Sequence, residues 1–293
     1  MDLEHKTIEE LKAGECSVER ALLVVSGLDE RGVSDYERKL DRMQDGFTPW
    51  RAKRKVSLLD RVINKVFDKP EDSQYNAAQA LFDYLWETKP QRCNGNFLLA
   101  QVIDAQLDED KYKAVGNGVG LTSLYSVLGS RLGLDLAVLY NEIHILSLLL
   151  SGKNRKKMII ENTELYGFDS VEGLGYEQED LLYLVSDVFN SRGVAKINSG
   201  YLLGALHDYD TAIELKPDYV NPYYNRGNVK IDLGDFAGAI EDYNTAIELK
   251  SDYANPLYNR GVAKKYLGDL VGAKQDFDKA IRLQPNLATA FDS

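Results

Sequence analysis

Three consecutive segments of this chain repeat with a period of 34 residues and no insertion: "VSDVFNSRGVAKINSGYLLGALHDYDTAIELKPD" over 185–218, "YVNPYYNRGNVKIDLGDFAGAIEDYNTAIELKSD" over 219–252 and "YANPLYNRGVAKKYLGDLVGAKQDFDKAIRLQPN" over 253–286. Nothing else in the sequence limits the fold so strongly, because every unit must take one structure and meet its neighbours in one way. Small residues recur in register at Gly193, Gly227 and Gly261, at Gly200, Gly234 and Gly268, at Ala205, Ala239 and Ala273, and at Ala212, Ala246 and Ala280. Aromatic rings recur at Tyr209, Tyr243 and Phe277. The spacing predicts two helices per unit. The first glycine and first alanine let the paired helices approach, while the aromatic and the second alanine pack on the next unit. Pro217 and Pro285 end the second helix, since proline cannot continue the hydrogen-bond ladder. One such hairpin cannot bury its apolar face alone, so the three are expected to stack as a short solenoid.

These segments resemble the tetratricopeptide repeat family over 185–286. The resemblance implies peptide or protein binding along a concave face lined by the first helix of each unit. Carried onto this sequence, that face holds Asp187, Asn190, Val194, Ile197 and Asn198, then Asn221, Tyr224, Asn225, Asn228, Ile231 and Asp232, then Asn255, Tyr258, Val262, Lys265 and Tyr266. Asparagine amides pair with peptide bonds, and tyrosine adds rigid area with a polar tip, so the composition suits an extended backbone. Family members that capture a chaperone's C-terminal carboxylate use a clamp of lysines, asparagines and an arginine. Asn225 fits one clamp position, but Asn190, Asn255 and Asn259 stand where basic residues are expected. That argues against a carboxylate clamp.

Basic pairs also recur in register, at Arg192 and Lys196, Arg226 and Lys230, and Arg260 and Lys264. They can form a stripe for an acidic ligand, or balance Asp208, Asp242 and Asp276, which share the register; the second reading is preferred. After the third unit, "LATAFDS" begins what reads as another first helix, so a longer natural chain or a short end segment is expected.

Ahead of the repeats, residues 7–106 carry apolar residues at three- and four-residue intervals in "SVERALLVVSGL", "KVSLLDRVINKVF", "AAQALFDYLWET" and "FLLAQVIDAQL". Thr7 with Glu10 and Ser34 with Glu37 have capping-box spacing and are expected at helix starts. The turn "GNGVG" at 116–120 then leads into a helix over 119–132, followed by "LDLAVLYN", "IHILSLLLSG" and "KKMIIENT", which read as strands. A helix followed by antiparallel strands gives an α+β core. The expected organisation is a helical part over 1–110, an α+β core over 111–176 forming one domain with it, and the repeats over 177–293.

The order "AVGNGVGLTSLYSVLGSRLGLDLAVLYNEIHILSLL" followed by "IIENT" resembles the transglutaminase-like, papain-related fold. It is most similar to the bacterial and archaeal branch with helices in front and tetratricopeptide repeats behind. The resemblance spans roughly 15–175 and is dense in motifs over 114–167. In that family a cysteine nucleophile sits in a Gly-Asn-Cys-hydrophobic-Gly-Leu turn at a helix N-terminus, with a histidine on the next strand and an acid or amide beyond it. Gly116, Asn117, Val119, Gly120 and Leu121 match, His144 takes the histidine position and Glu161, ahead of Thr163, the third. Gly118 takes the cysteine position. The thiolate is the attacking atom in such chemistry, so the resemblance implies a pseudoenzyme. Glu142 and Ile143 replace the usual proline and glycine. A P-loop reading of "GNGVG" fails, because no Lys-Ser/Thr pair follows.

Composition closes off other classes. A net charge of −11 argues against nucleic acid, and the basic run "WRAKRKVSLLDR" at 50–61 faces away from an apolar stripe. His5, His144 and His207 lack metal-ligand spacing, and Cys16 and Cys93 are too few for a zinc site or disulfide framework, so neither metal nor cofactor is expected. An acidic N-terminus without an apolar core predicts no signal peptide, and "IHILSLLL" is too short to span a bilayer. The chain is expected to be cytoplasmic, and its oligomeric state is open. The functional expectation is a non-catalytic adaptor that binds a protein or peptide through its repeats. The alternative is a divergent enzyme of the transglutaminase or cysteine-peptidase kind, acting on amide or isopeptide bonds through His144, Glu161 and water or another nucleophile such as Cys93.

Overall fold

The structure, a computed structural model, describes residues 2–53, 73–89, 96–110, 114–140, 145–151, 156–160 and 177–285. The chain divides into two compact units, Met1–Val188 and Phe189–Ser293.

The first unit opens with helices α1 (Leu3–Lys12), α2 (Val18–Val25) and α3 (Glu30–Lys53), followed by α4 (Ser73–Thr88) and α5 (Leu99–Leu107). Asp2 caps α1 by accepting from the His5 amide, and Ser17 caps α2 by accepting from the Arg20 amide at 3.1 Å. The caps are therefore not the ones expected from spacing. Thr7 is buried inside α1 and Ser34 bonds back to the Glu30 carbonyl inside α3, whose first turn is capped by Asp29 accepting from Gly32 N. A hydroxyl three residues before a glutamate caps only where the chain enters the helix. Here Asp2 and Asp29 reach that position earlier. Val33, Leu40, Met43 and Phe47 form the buried stripe of α3.

The central element of this unit is α6 (Gly118–Arg131), buried at every position from Gly120 to Gly129. It touches α2, α4, α5 and the sheet. Its polar groups are answered in place: Thr122 donates to the Ile145 carbonyl, Tyr125 to the Ala78 carbonyl at 2.9 Å, and Ser126 lies 3.5 Å from Ser147. Arg131 ends the helix by pairing with Glu19 at 2.5 Å and Asp41 at 2.6 Å, tying it to α2 and α3. The strands are β1 (Leu136–Tyr140), β2 (Ile145–Ser151), β3 (Lys156–Ile160) and β4 (Glu177–Glu179), ordered β3-β2-β1-β4 and antiparallel throughout. From Ile145 to Leu150 β2 is buried on both faces, which explains a run that is apolar except for Ser147. Helix followed by antiparallel sheet is the order the sequence predicted.

Among the described residues the second unit holds three helix pairs: the part of α7 (Leu181–Asn198) from Phe189 onward with α8 (Leu202–Leu215), α9 (Val220–Asp232) with α10 (Phe236–Leu249), and α11 (Ala254–Tyr266) with α12 (Leu270–Leu283). Gly200, Gly234 and Gly268 turn the chain between paired helices at φ of 79°, 79° and 85°, a region that L side chains avoid. Gly193, Gly227 and Gly261 serve a different purpose. A Cβ there would lie 2.6, 2.6 and 2.7 Å from the rings of Tyr209, Tyr243 and Phe277, so each aromatic sits directly over the glycine of its own unit. Sequence reasoning placed these rings against the next unit. Tyr209 makes that contact as well, clustering with Val229.

Candidate functional site

The first-helix row of the repeats begins from packing. Tyr224 and Tyr258 are half-buried: Tyr224 packs on Tyr253 at 5.4 Å between ring centroids, and Tyr258 on Phe277 at 5.1 Å. Ile197 packs against the core cluster of Ala205, Tyr209 and Val229. Val194, Lys265 and Tyr266 are exposed, while Asn190 is buried. Asn221, Asn225, Asn228, Ile231, Asn255 and Val262 lie between these extremes.

The asparagines pair between neighbouring units. Asn225 donates to Asn190 Oδ1 at 2.9 Å, and one unit later Asn259 donates to Asn228 Oδ1 at 2.7 Å. Tyr243 Oη donates to the same Asn228 oxygen at 2.8 Å, and Asn190 donates to Tyr219 Oη at 3.3 Å. Burial pushes the Tyr253 hydroxyl up to about 12, aided by Tyr224 and opposed by a hydrogen bond with Asn255. These amides are thus held in place, which lowers the entropy lost when a ligand engages them.

The basic ladder is engaged inside the repeats. Asp208, Asp242 and Asp276 are buried, and each is met by an arginine and a lysine of its own unit. The distances are 2.6 and 2.7 Å for Arg192 and Lys196, 2.5 and 2.8 Å for Arg226 and Lys230, and 2.5 and 2.8 Å for Arg260 and Lys264. Arg226 reaches back to Asp210 and Arg260 to Asn244, each at 2.6 Å, so the ladder also joins neighbouring units. Burial alone would raise the Asp276 carboxyl, but the hydrogen bonds and charges of Arg260 and Lys264 outweigh it and hold the group below the usual carboxylate range. No basic stripe is left over for a ligand along these pairs.

A pocket of about 220 Å³ opens on this row, lined by Asn228, Ile231, Asp232, Tyr243, Asn259 and Val262. The sequence assigned Asn228, Ile231, Asp232 and Val262 to the ligand-facing side. It missed Tyr243, which was read purely as packing, and the linking role of Asn259. Register carried the signal for Tyr243: residue 228 of the first helix lies 15 positions before it, as 194 lies before Tyr209 and 262 before Phe277.

In the first unit the glycine turn is built for close approach. Asn117 caps α6 by accepting from Gly120 N at 3.0 Å, and its own amide donates to the Asn96 carbonyl at 2.8 Å. A Cβ on Gly120 would lie 2.6 Å from Val102 Cγ2 and 2.8 Å from the Asn96 oxygen. Gly118 is the first residue of α6 and half-buried. His144, Glu161, Thr163 and Cys93 lie outside the described residues, as do Val56–Val66 and 286–293. Among the described residues there is no cluster of histidine, cysteine or carboxylate side chains that could hold a metal, and no helix long and apolar enough to cross a membrane.

Comparison with known proteins identifies the repeats. A family model described as TPR repeat matches residues 197–234 and 227–268, and one described as tetratricopeptide repeat matches 254–287. No curated protein matches the chain. Among solved structures, the first TPR of Spaghetti (RPAP3) bound to HSP90 peptide SRMEEVD is 28% identical, over 34% of this chain and 80% of that one, with a TM-score of 0.34. The second TPR of the same protein, bound to the same peptide, is 26% identical over 34% and 92%, with a TM-score of 0.34. The Arabidopsis OM64 TPR domain is 26% identical over 36% and 86%, with a TM-score of 0.35. The family models, rather than these partial likenesses, establish that the C-terminal part of the chain carries tetratricopeptide repeats.

Proposed function

We propose that this protein is a non-catalytic interaction adaptor, with its tetratricopeptide repeats holding an extended protein segment along the concave first-helix row. The observation that carries the reading is two hydrogen-bonded asparagine pairs, Asn225 donating to Asn190 and Asn259 to Asn228, the second of which lines a pocket with Ile231 and Val262. Fixed amides present donors and acceptors to peptide bonds, and the small pocket accepts a side chain. The first unit is read as a degenerate transglutaminase-like module kept for its fold or as a second binding surface. Support comes from the capped glycine turn at the start of a buried helix that leads into an antiparallel sheet. Glycine at 118 supplies no nucleophile, so His144 and Glu161 have no thiolate to assist.

Affinity capture from native extract tests the adaptor reading. The bait is the full chain, run beside Ile231→Arg, which blocks the pocket with a long charged side chain while leaving the packed tyrosines intact. Proteins retained by the first and lost by the second are the expected result. Identical captures, with both baits equally folded by circular dichroism, refute it. Hydrolysis or cross-linking of amide substrates by the purified protein, abolished by His144→Ala, would instead establish the divergent-enzyme alternative.

A further inference from the structure

The pocket on the repeats has an uneven lining whose chemistry selects its occupant. Ile231 and Val262 give aliphatic walls and Tyr243 an aromatic one, while Asn228, Asn259 and Asp232 bring polar atoms. Asp232 is exposed at the last position of α9 and, among the described residues, makes no hydrogen bond or ion pair. No cation lines the pocket. The nearby arginines and lysines at 226, 230, 260 and 264 are bound to Asp242 and Asp276, and Lys265, exposed on α11 one turn beyond Val262, does not line the pocket. The Tyr243 hydroxyl is raised first by burial, then by the charges of Tyr224, Asp242 and Asp232, while a hydrogen bond with Asn259 opposes the shift. The oxygen of Asn228 already accepts from Tyr243 and Asn259, which fills both of its lone pairs and leaves the Asp232 carboxylate as the acceptor a cation would meet.

We infer that this pocket takes a lysine or arginine side chain from the interior of an extended partner peptide; the inference rests on the peptide-binding reading above. The aliphatic stem of such a side chain lies along Ile231 and Val262, and the head reaches Asp232. A cavity of about 220 Å³ has room for one long side chain and too little for a folded element. The alternatives fit worse. An acidic side chain or C-terminal carboxylate would meet Asp232 with no cation in the lining, and an apolar occupant would strip water from that carboxylate without replacing its hydrogen bonds.

Selection of a random twelve-residue peptide library displayed on phage, against the immobilised full chain, tests this. The expected result is a family of peptides sharing one lysine or arginine position. Made synthetically and measured by fluorescence anisotropy, they should weaken at least tenfold when that residue becomes alanine, and by a similar factor on Asp232→Asn. Selection against Asp232→Lys should shift the shared position to aspartate or glutamate. Peptides that lose binding to Ile231→Arg yet share no basic position, or that ignore Asp232→Asn, overturn the occupant while leaving the peptide-binding reading in place. Failure to select any peptide sensitive to Ile231→Arg overturns both. Asp232 lies on the surface, so its variants are expected to fold, which circular dichroism checks.

Discussion

Two tyrosines at equivalent positions in successive repeats should respond oppositely to losing their hydroxyl groups. Tyr243 Oη donates to Asn228 Oδ1 at 2.8 Å, whereas the buried Tyr209 Oη has no partner among the described residues. The cause is one position on the first helix: residue 228 is asparagine, and residue 194, its counterpart, is valine. The third unit resolves the same mismatch by pairing Val262 with Phe277. Tyr243→Phe removes a neutral hydrogen bond and should cost about 1 kcal/mol, since Asn228 keeps its bond from Asn259. Tyr209→Phe removes a buried hydroxyl that lost its water without gaining a partner, and should stabilise by about 1 kcal/mol. The gap between the two variants is then about 2 kcal/mol, or midpoints separated by roughly 8 °C if the repeats unfold as one domain of about 100 residues. Calorimetry of the full chain reads the shift, and native-state hydrogen exchange of α8 and α10 locates it. Val194→Asn should supply the missing acceptor, so that Tyr209→Phe in that background becomes destabilising. Equal responses of the two single variants, or no coupling between positions 194 and 209, would refute the reasoning.

Gly227→Ala should destabilise the repeats by about 1–3 kcal/mol, because its Cβ would lie 2.6 Å from the buried Tyr243 ring; urea unfolding checks it. Gly120→Ala should cost a similar amount in the first unit, where a backbone oxygen that cannot rotate aside stands 2.8 Å away, and loss of protection in α6 by hydrogen exchange would report it. Asp276 titrates below the usual carboxylate range when folded, so its contribution is complete above the unfolded value and disappears as pH falls through the folded one; Asp276→Asn should flatten the acid limb of the stability curve. Tyr253, raised to about 12, contributes stability that is complete below the ordinary tyrosine value and is lost as pH rises from there toward 12, and Tyr253→Phe should flatten that alkaline limb. Gly118→Cys should yield a thiol titrating below free cysteine if the position matches the nucleophile of the transglutaminase-like fold, and an ordinary thiol pKa counts against that alignment.

The repeats were legible because their signal is redundant. Each glycine, alanine and aromatic appears three times, and the period alone requires paired helices; that Tyr243 lies over Gly227 of its own unit came from the structure. The balance of the basic ladder by Asp208, Asp242 and Asp276 was also visible, since partners that recur with one period must meet in every unit. Helix starts in the first unit were less legible. Thr7 and Ser34 have the right neighbours for capping, but which hydroxyl or carboxylate caps depends on where the chain turns into the helix, and Asp2 and Asp29 stand at those turns. The pocket was half visible: first-helix positions follow from the register, while Tyr243 enters it from the second helix by a packing geometry that no single periodicity encodes.

By itself, the sequence determined the repeated hairpins, the glycines between and beneath them, and the order of helix then antiparallel sheet in the first unit. Those features depend on contacts at fixed sequence separations. Tertiary structure alone decided which polar groups end up satisfied. It joined Asn228 to both Tyr243 and Asn259, left the hydroxyl of Tyr209 without a partner among the described residues, and left Asp232 exposed at a pocket. Each of those outcomes turns on a few tenths of an ångström between side chains of different helices, where a hydrogen bond is either made or lost.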